Sequence, residues 1–287
     1  MIPGGGPPVA LTIAGSDSAS GAGIQADIKA MAALGVFATS AVTVVTAQNT
    51  AEVTEVLRLP PSLVDAQITA VLDDLPVAAV KTGLLWAPEV IELVARRADA
   101  GDLPQLVVDP VVVTSTGSLL VDARGIAAYR DELLPRALLA TPNLWEAALL
   151  AGVEPSDVAD AAAMEEAARR IHDLGATWVL VKGGHLPGVG SPTPGGGPAE
   201  VIDVLFDGTE ATWLAAPRVE TGNTHGTGCS LSAAIVAHLA RGADVPSAVA
   251  AAKEFVHRAL VGGAHWRLGR GHGPIDHFGW SGPSAGP

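Results

Sequence analysis

Short runs of β-branched and apolar residues alternate with segments of helical period along most of this 287-residue chain, and that alternation restricts the fold more than any other feature. Val9 to Ala14 is an apolar run. Gly15-Ser-Asp-Ser-Ala-Ser-Gly-Ala-Gly follows as a loop of small residues, and Ile24, Ile28, Met31 and Leu34 then recur at helical spacing over Ile24 to Leu34. Phe37 to Val45 reads as a second strand running into Thr46-Ala-Gln-Asn-Thr, which puts Gln48 just beyond its carboxyl end. Thr54 to Leu59 is a further strand candidate, and Pro61 to Asp73 a helix with proline in its first turn.

From there the pattern is regular. Strands are expected at Val77 to Val80, Leu106 to Val108, Ala137 to Ala140 and Trp178 to Val181. Helices are expected at Pro88 to Arg97, Gly125 to Leu134, 145 to 151 and 160 to 174. Val201 to Phe206 and Ala211 to Leu214, joined through Asp207-Gly208, read as a β-hairpin, and Val245 to Leu260 as a last helix. Strands and helices in this order imply βαβ units, hence an α/β fold whose central, mostly parallel sheet carries helices on both faces. Such sheets bind ligands at the carboxyl ends of their strands, where Asp17, Gln48, Lys81, Asp109, Asn143 and Lys182 each follow a predicted strand.

Composition limits what such a fold can serve. The net charge of −13, with no basic run to offset it, opposes nucleic acid and anionic lipid. One cysteine excludes an intrachain disulfide or a cysteine-cluster metal site and fits a reducing compartment. With neither a signal-peptide pattern nor an apolar stretch long enough for a bilayer, a cytoplasmic location is expected. Residues 1–8 and 281–287 are expected as disordered tails and 186–199 as a flexible insertion loop, leaving one domain over 9–280.

One stretch concentrates chemistry. Asn223-Thr-His-Gly-Thr-Gly-Cys-Ser runs straight into Leu231-Ser-Ala-Ala-Ile-Val-Ala-His-Leu, so Gly226 and Gly228 open a helix whose first amides suit an anion. A lone Gly-x-Gly before a helix is more often only a loop. Here Asn223, Thr224 and His225 precede it, and Cys229 stands where a helix dipole favours a thiolate. No Gly-Lys-Ser/Thr phosphate loop, His-Glu-x-x-His, Gly-x-Ser-x-Gly or Gly-x-Gly-x-x-Gly occurs in its proper setting. A glycine-rich helix entrance with polar strand ends can still serve phosphoryl transfer, which depends on positioning and charge.

Several blocks together resemble the hydroxymethylpyrimidine/phosphomethylpyrimidine kinases of thiamine biosynthesis. They are Thr12-Ile-Ala-Gly-Ser-Asp-Ser-Ala-Ser-Gly-Ala-Gly-Ile-Gln-Ala-Asp, Thr46-Ala-Gln-Asn-Thr, Lys81-Thr-Gly, Val108-Asp-Pro-Val, Thr141-Pro-Asn-Leu-Trp-Glu, Val181-Lys-Gly-Gly-His and Asn223-Thr-His-Gly-Thr-Gly-Cys. The resemblance runs from about residue 9 to residue 280 in the family's order and implies a ribokinase-like fold.

It also implies an ATP- and Mg²⁺-dependent kinase that phosphorylates 4-amino-5-hydroxymethyl-2-methylpyrimidine and then its monophosphate. By the same resemblance Gln48 reads the aminopyrimidine edge, with Gly15, Asp27, Val111 and Leu84 lining the pocket; Leu84 stands where the family often has methionine. Cys229 takes the place of the aspartate base of related sugar kinases, and Gly226, Thr227 and Gly228 cradle the moving phosphoryl group through their amides. Lys182, Asn143 and Thr224 are implied for the nucleotide, and Glu146, with Asp109 as a second candidate, for Mg²⁺. Relatives are usually dimers. A pyridoxine or pyridoxal kinase is the alternative enzyme, and an idle pyrimidine-binding sensor the alternative from another class; a sugar or adenosine kinase is disfavoured by cysteine in place of aspartate.

Overall fold

The computed structural model describes residues 5–113, 119–158, 160–184 and 200–282. They form two compact units, one from the chain up to Leu84 together with Val219 onward, the other from Leu85–Arg218. The expected leader up to residue 4, the insertion at 186–199 and the tail from residue 283 lie outside the described residues. Among the described residues no helix is long and apolar enough to cross a membrane.

In the first unit β1 (Val9–Asp17) lies between β2 (Phe37–Gln48) and β4 (Val77–Thr82), parallel to both, and β3 (Val53–Arg58) pairs antiparallel with β2. Ala10, Leu11, Thr12, Ile13 and Ala14 are at most 1% exposed. Successive side chains point to opposite faces, so an unbroken buried run means that both faces of β1 are covered. Helices α1 (Gly23–Ala33), α2 (Pro61–Leu72), α7 (Thr227–Ala240) and α8 (Val245–Gly263) do this, with α1 on β1, α2 on β2, and α7 against β1, β4, α1 and α8. Helix α7 is buried without interruption from Ser230 to Ala237, which its small side chains permit and an amphipathic sequence would not.

In the second unit β5 (Leu106–Val108), β6 (Leu139–Ala140) and β7 (Trp178–Val181) run parallel, and the hairpin of β8 (Glu200–Phe206) and β9 (Ala211–Pro217) continues the sheet antiparallel to β7. At the hairpin turn Asp207 accepts from the N–H groups of Thr209 and Glu210, both at 2.7 Å. Helices α3 (Pro88–Asp99), α4 (Ala123–Ala128), α5 (Leu144–Ala151) and α6 (Ala161–Asp173) complete this unit.

Three expected elements differ in extent. The helix predicted at 125–134 begins earlier, capped by Asp122 accepting from the Gly125 N–H, and its α portion ends at Ala128. The chain continues through a π turn at Tyr129–Leu133 into a 3-10 turn at Leu134–Arg136, where Pro135 has no N–H to extend an α-helix. The strand expected at 137–140 accordingly shrinks to two residues. Conversely, β2 runs three residues further than predicted, so Gln48 ends the strand rather than following it.

Candidate active site

The glycine-rich stretch forms the N-terminus of α7. Gly226 is its N-cap at φ 80°, and the helix starts at Thr227, four residues ahead of the apolar run that signalled it. A Cβ on Gly226 would stand 1.8 Å from the Gly21 carbonyl oxygen, so the loop after β1 and the loop before α7 interlock at two glycines. Cys229 is in the first turn and half-buried. One expectation narrows: the Thr227 N–H and hydroxyl both donate to the Thr224 carbonyl, at 3.2 and 2.7 Å, so that amide already has a partner. Asn223 does structural work, its amide nitrogen donating to the carbonyls of Gly263 at 2.7 Å and Trp266 at 2.9 Å, which ties the loop to the end of α8.

Asp17, the last residue of β1, organises the facing loop. Its carboxylate accepts from the N–H groups of Ala19 at 2.8 Å, Gly21 at 3.1 Å and Ala22 at 2.9 Å, and contacts His225 Nε2 at 2.9 Å. Burial pushes this carboxyl upward in pKa, but the hydrogen bonds with His225, Ala22 and Ala19 outweigh it and leave the group below its ordinary value. The same His225 Nε2 lies 3.3 Å from the carboxamide of Gln48. Gln48 is fixed by its backbone as well, its carbonyl accepting from Ser18 Oγ at 2.7 Å and its N–H donating to the same oxygen at 2.8 Å.

Gly15 and Leu84 do come together. A Cβ on Gly15 would meet Val44 Cγ1 at 2.7 Å and Leu84 Cδ2 at 3.6 Å, so Val44, which no motif singled out, shares this surface. Asp27 is placed differently from the expectation. It is fully buried, with Lys81 Nζ at 2.8 and 2.9 Å from its two oxygens and the Thr12 hydroxyl donating at 2.6 Å. A carboxylate so enclosed acts on a ligand only through the elements it ties together, β1, α1 and β4.

In the second unit Lys182 follows β7 and its Nζ pairs with Asp109 Oδ1 at 2.9 Å; the Thr141 hydroxyl donates to the same oxygen at 3.3 Å. Asn143 is the N-cap of α5 in a reciprocal box with Glu146: its side chain accepts from the Glu146 N–H at 3.0 Å, and Glu146 Oε2 accepts from the Asn143 N–H at 2.8 Å. Burial drives the Glu146 carboxyl well above its usual pKa; Lys182 opposes this and the Asp109 carboxylate reinforces it. Val111 is half-buried, its N–H on the Asp109 carbonyl at 2.9 Å.

Among the described residues no group of three or more His, Cys, Asp or Glu could hold a metal alone. A Glu146 carboxyl whose charge is made costly by burial and by the Asp109 carboxylate suits Mg²⁺, which takes one or two protein carboxylates and completes its shell with phosphate oxygens and water. A hollow of about 410 Å³ lined by Leu103, Gln105, Leu106, Pro135, Ala137 and Thr177 lies instead at the amino ends of β5, β6 and β7, away from these groups.

A phosphomethylpyrimidine kinase family model matches residues 17–276. The chain is 46% identical to the hydroxymethylpyrimidine/phosphomethylpyrimidine kinase of Streptomyces coelicolor over 96% of each chain. It is 44% identical over 94% of its length to the chloroplastic thiamine biosynthetic bifunctional enzyme of Arabidopsis thaliana, of which it spans 50%. The solved structure of Staphylococcus aureus pyridoxal kinase with AMP-PCP and pyridoxal superposes with a TM-score of 0.83 at 32% identity, covering 96% of this chain and 95% of that one. The fold is ribokinase-like, and the chain belongs to the phosphomethylpyrimidine kinase family.

Proposed function

We propose that this protein uses ATP to phosphorylate the hydroxymethyl group of 4-amino-5-hydroxymethyl-2-methylpyrimidine and then the resulting monophosphate, within thiamine biosynthesis. The observation that carries the reading is the family match across residues 17–276, together with the interlock that sets the start of α7 beside the loop of the Asp17–His225–Gln48 group.

The chemistry assigns each residue a task. Gln48 offers an amide donor and acceptor to the aminopyrimidine edge beside Gly15 and Leu84, and Val111 is assigned to substrate by the family resemblance. A Cys229 thiolate accepts the proton of the hydroxymethyl group as its oxygen bonds to the γ-phosphorus and the bond to the β-phosphate oxygen breaks, releasing ADP. Backbone N–H groups at the start of α7 and the Lys182 ammonium balance the charge that develops. Lys182, Asn143 and Thr224 are the residues proposed for ATP, and Asp109 and Glu146 for Mg²⁺, which supplies charge neutralisation on the phosphates when bound. The reading carries with it a cytoplasmic homodimer and one kinase domain over 9–280.

ADP formation is to be measured side by side with the hydroxymethylpyrimidine, its monophosphate and pyridoxal. Turnover of both pyrimidines, with kcat/KM for pyridoxal about tenfold lower or less, is expected, since a pocket matched to one ring's polar edge rejects another. Preference for pyridoxal would move the assignment to a pyridoxal kinase, to which the Staphylococcus aureus likeness points. No turnover of any of them would leave an idle binding protein.

A further inference from the structure

We infer that His225, held by Asp17, is a positioning residue that selects which end of the Gln48 carboxamide faces the substrate, and so sets the donor–acceptor pattern the enzyme accepts. This deepens the proposed aminopyrimidine reading and rests on it.

The protons available fix the orientation of the amide. Asp17 is an ionised acceptor whose oxygens take three backbone N–H groups, so the His225 nitrogen 2.9 Å away must carry a hydrogen and donate it. An imidazole nitrogen that bears a hydrogen has no lone pair left. Whatever stands 3.3 Å from it on Gln48 has to accept. With the carboxamide nitrogen turned that way, donor would meet donor. A half-turn of the isosteric amide places Oε1 there, sharing the His225 N–H with Asp17.

The other side of Gln48 agrees. Its remaining terminal atom lies 3.3 Å from Thr46 Oγ1, and the Thr46 hydroxyl gives its proton to the Ser16 carbonyl at 2.9 Å. Thr46 Oγ1 therefore has lone pairs but no proton to offer, and the amide NH₂ is its natural partner. His225 thus donates to Asp17 and heads a directed chain through Gln48 and Thr46 to the Ser16 carbonyl. One lone pair on Oε1 and one N–H on Nε2 stay unused, side by side, and they match a ring nitrogen flanked by an exocyclic amine. His225 cannot swing away, because its backbone N–H is on the Gly273 carbonyl at 3.1 Å and Gly21 is packed against its ring, where a Cβ would come within 2.2 Å of Cδ2.

The test pairs substitution with spectroscopy. His225→Phe keeps the ring and removes the donor; His225→Gln restores an N–H at similar reach. For His225→Phe, KM for the hydroxymethylpyrimidine should rise about 10- to 100-fold, the range for leaving one buried partner unpaired, with KM for ATP nearly unchanged. Discrimination against the analogue bearing oxo in place of the amine should shrink by a similar factor, because the freed amide can turn over. His225→Gln should recover most of both. Unaltered discrimination in His225→Phe, or a fall in kcat alone, overturns the inference. Nitrogen-15 NMR of the unsubstituted protein judges the arrangement without any turnover: Nε2 of His225 must be protonated and hydrogen-bonded. A bare Nε2 rejects it even if both phosphorylations proceed, whereas a protonated Nε2 in a protein that phosphorylates no pyrimidine counts against the proposed function and spares the hydrogen-bond chain.

Discussion

Asp17 Oδ2 and His225 Nε2 meet at 2.9 Å although 208 residues separate them in sequence. The contact joins the carboxyl end of the central strand of the first unit to the loop that opens α7, so the Gln48 carboxamide and the start of α7 share one support.

Cys229→Ala is expected to lower kcat for the hydroxymethyl substrate by about 10²- to 10⁴-fold, the usual worth of a general base. The monophosphate attacks through an oxygen already ionised near neutral pH, its second pKa being about 6, and needs no base. Separate assays of the two steps should therefore show the first impaired far more than the second. A loss within a few-fold on the first step would reduce Cys229 to a positioning role.

Lys81→Met leaves the fully buried Asp27 without its cation and should cost about 3–5 kcal/mol, read from urea denaturation. Combining it with Asp27→Asn should cost less than the sum of the single changes, since the stranded charge is gone. Simple additivity would show that the pair does not act as a unit.

Gly226→Ala forces a side chain into a backbone at φ 80° and towards the Gly21 carbonyl. Left-handed strain alone is worth about 1–3 kcal/mol, and relief of the clash must part the two loops. A lower thermal midpoint together with loss of phosphoryl transfer is expected; unchanged activity would mean that the interlock does not set the helix start.

His277 should make stability fall with acid. Burial holds its imidazole down, to about 4, with Lys29 adding to the effect, and Ser230 Oγ lies 2.7 Å from its Nε2. An unfolded histidine titrates near 6.5, so between these values the unfolded chain binds a proton that the folded chain refuses. The contribution is complete above about pH 6.5 and is lost as pH falls towards 4, roughly 3 kcal/mol in all. Urea midpoints at pH 7 and pH 5 should diverge in the unsubstituted protein, and less in His277→Asn.

Strand and helix order could be read from sequence because period is a local property, and β1, β2 and α8 needed only small changes of boundary. The π turn after α4 was not legible, because it arises where a helix accommodates Pro135 downstream rather than from any change of pattern. Asn223 is a polar group beside the glycine-rich turn, and Asp27 is implied as a pocket residue. Their partners, the carbonyls at the end of α8 and the Lys81 ammonium, lie 40 to 54 residues away and leave no mark on the neighbouring sequence. His225 was visible only as one polar residue before a glycine; its use depends on an aspartate at the opposite end of the chain.

The amino-acid order alone determined the alternating α/β architecture, the glycine entrance to α7 and the set of polar residues at strand ends, since each is written in spacing over a few residues. Only the tertiary structure decided which of those polar residues are tied up and which keep an edge for a ligand. Hydrogen-bond partnership is settled by packing, where a buried carboxylate or amide takes whichever complementary group the fold brings within about 3 Å.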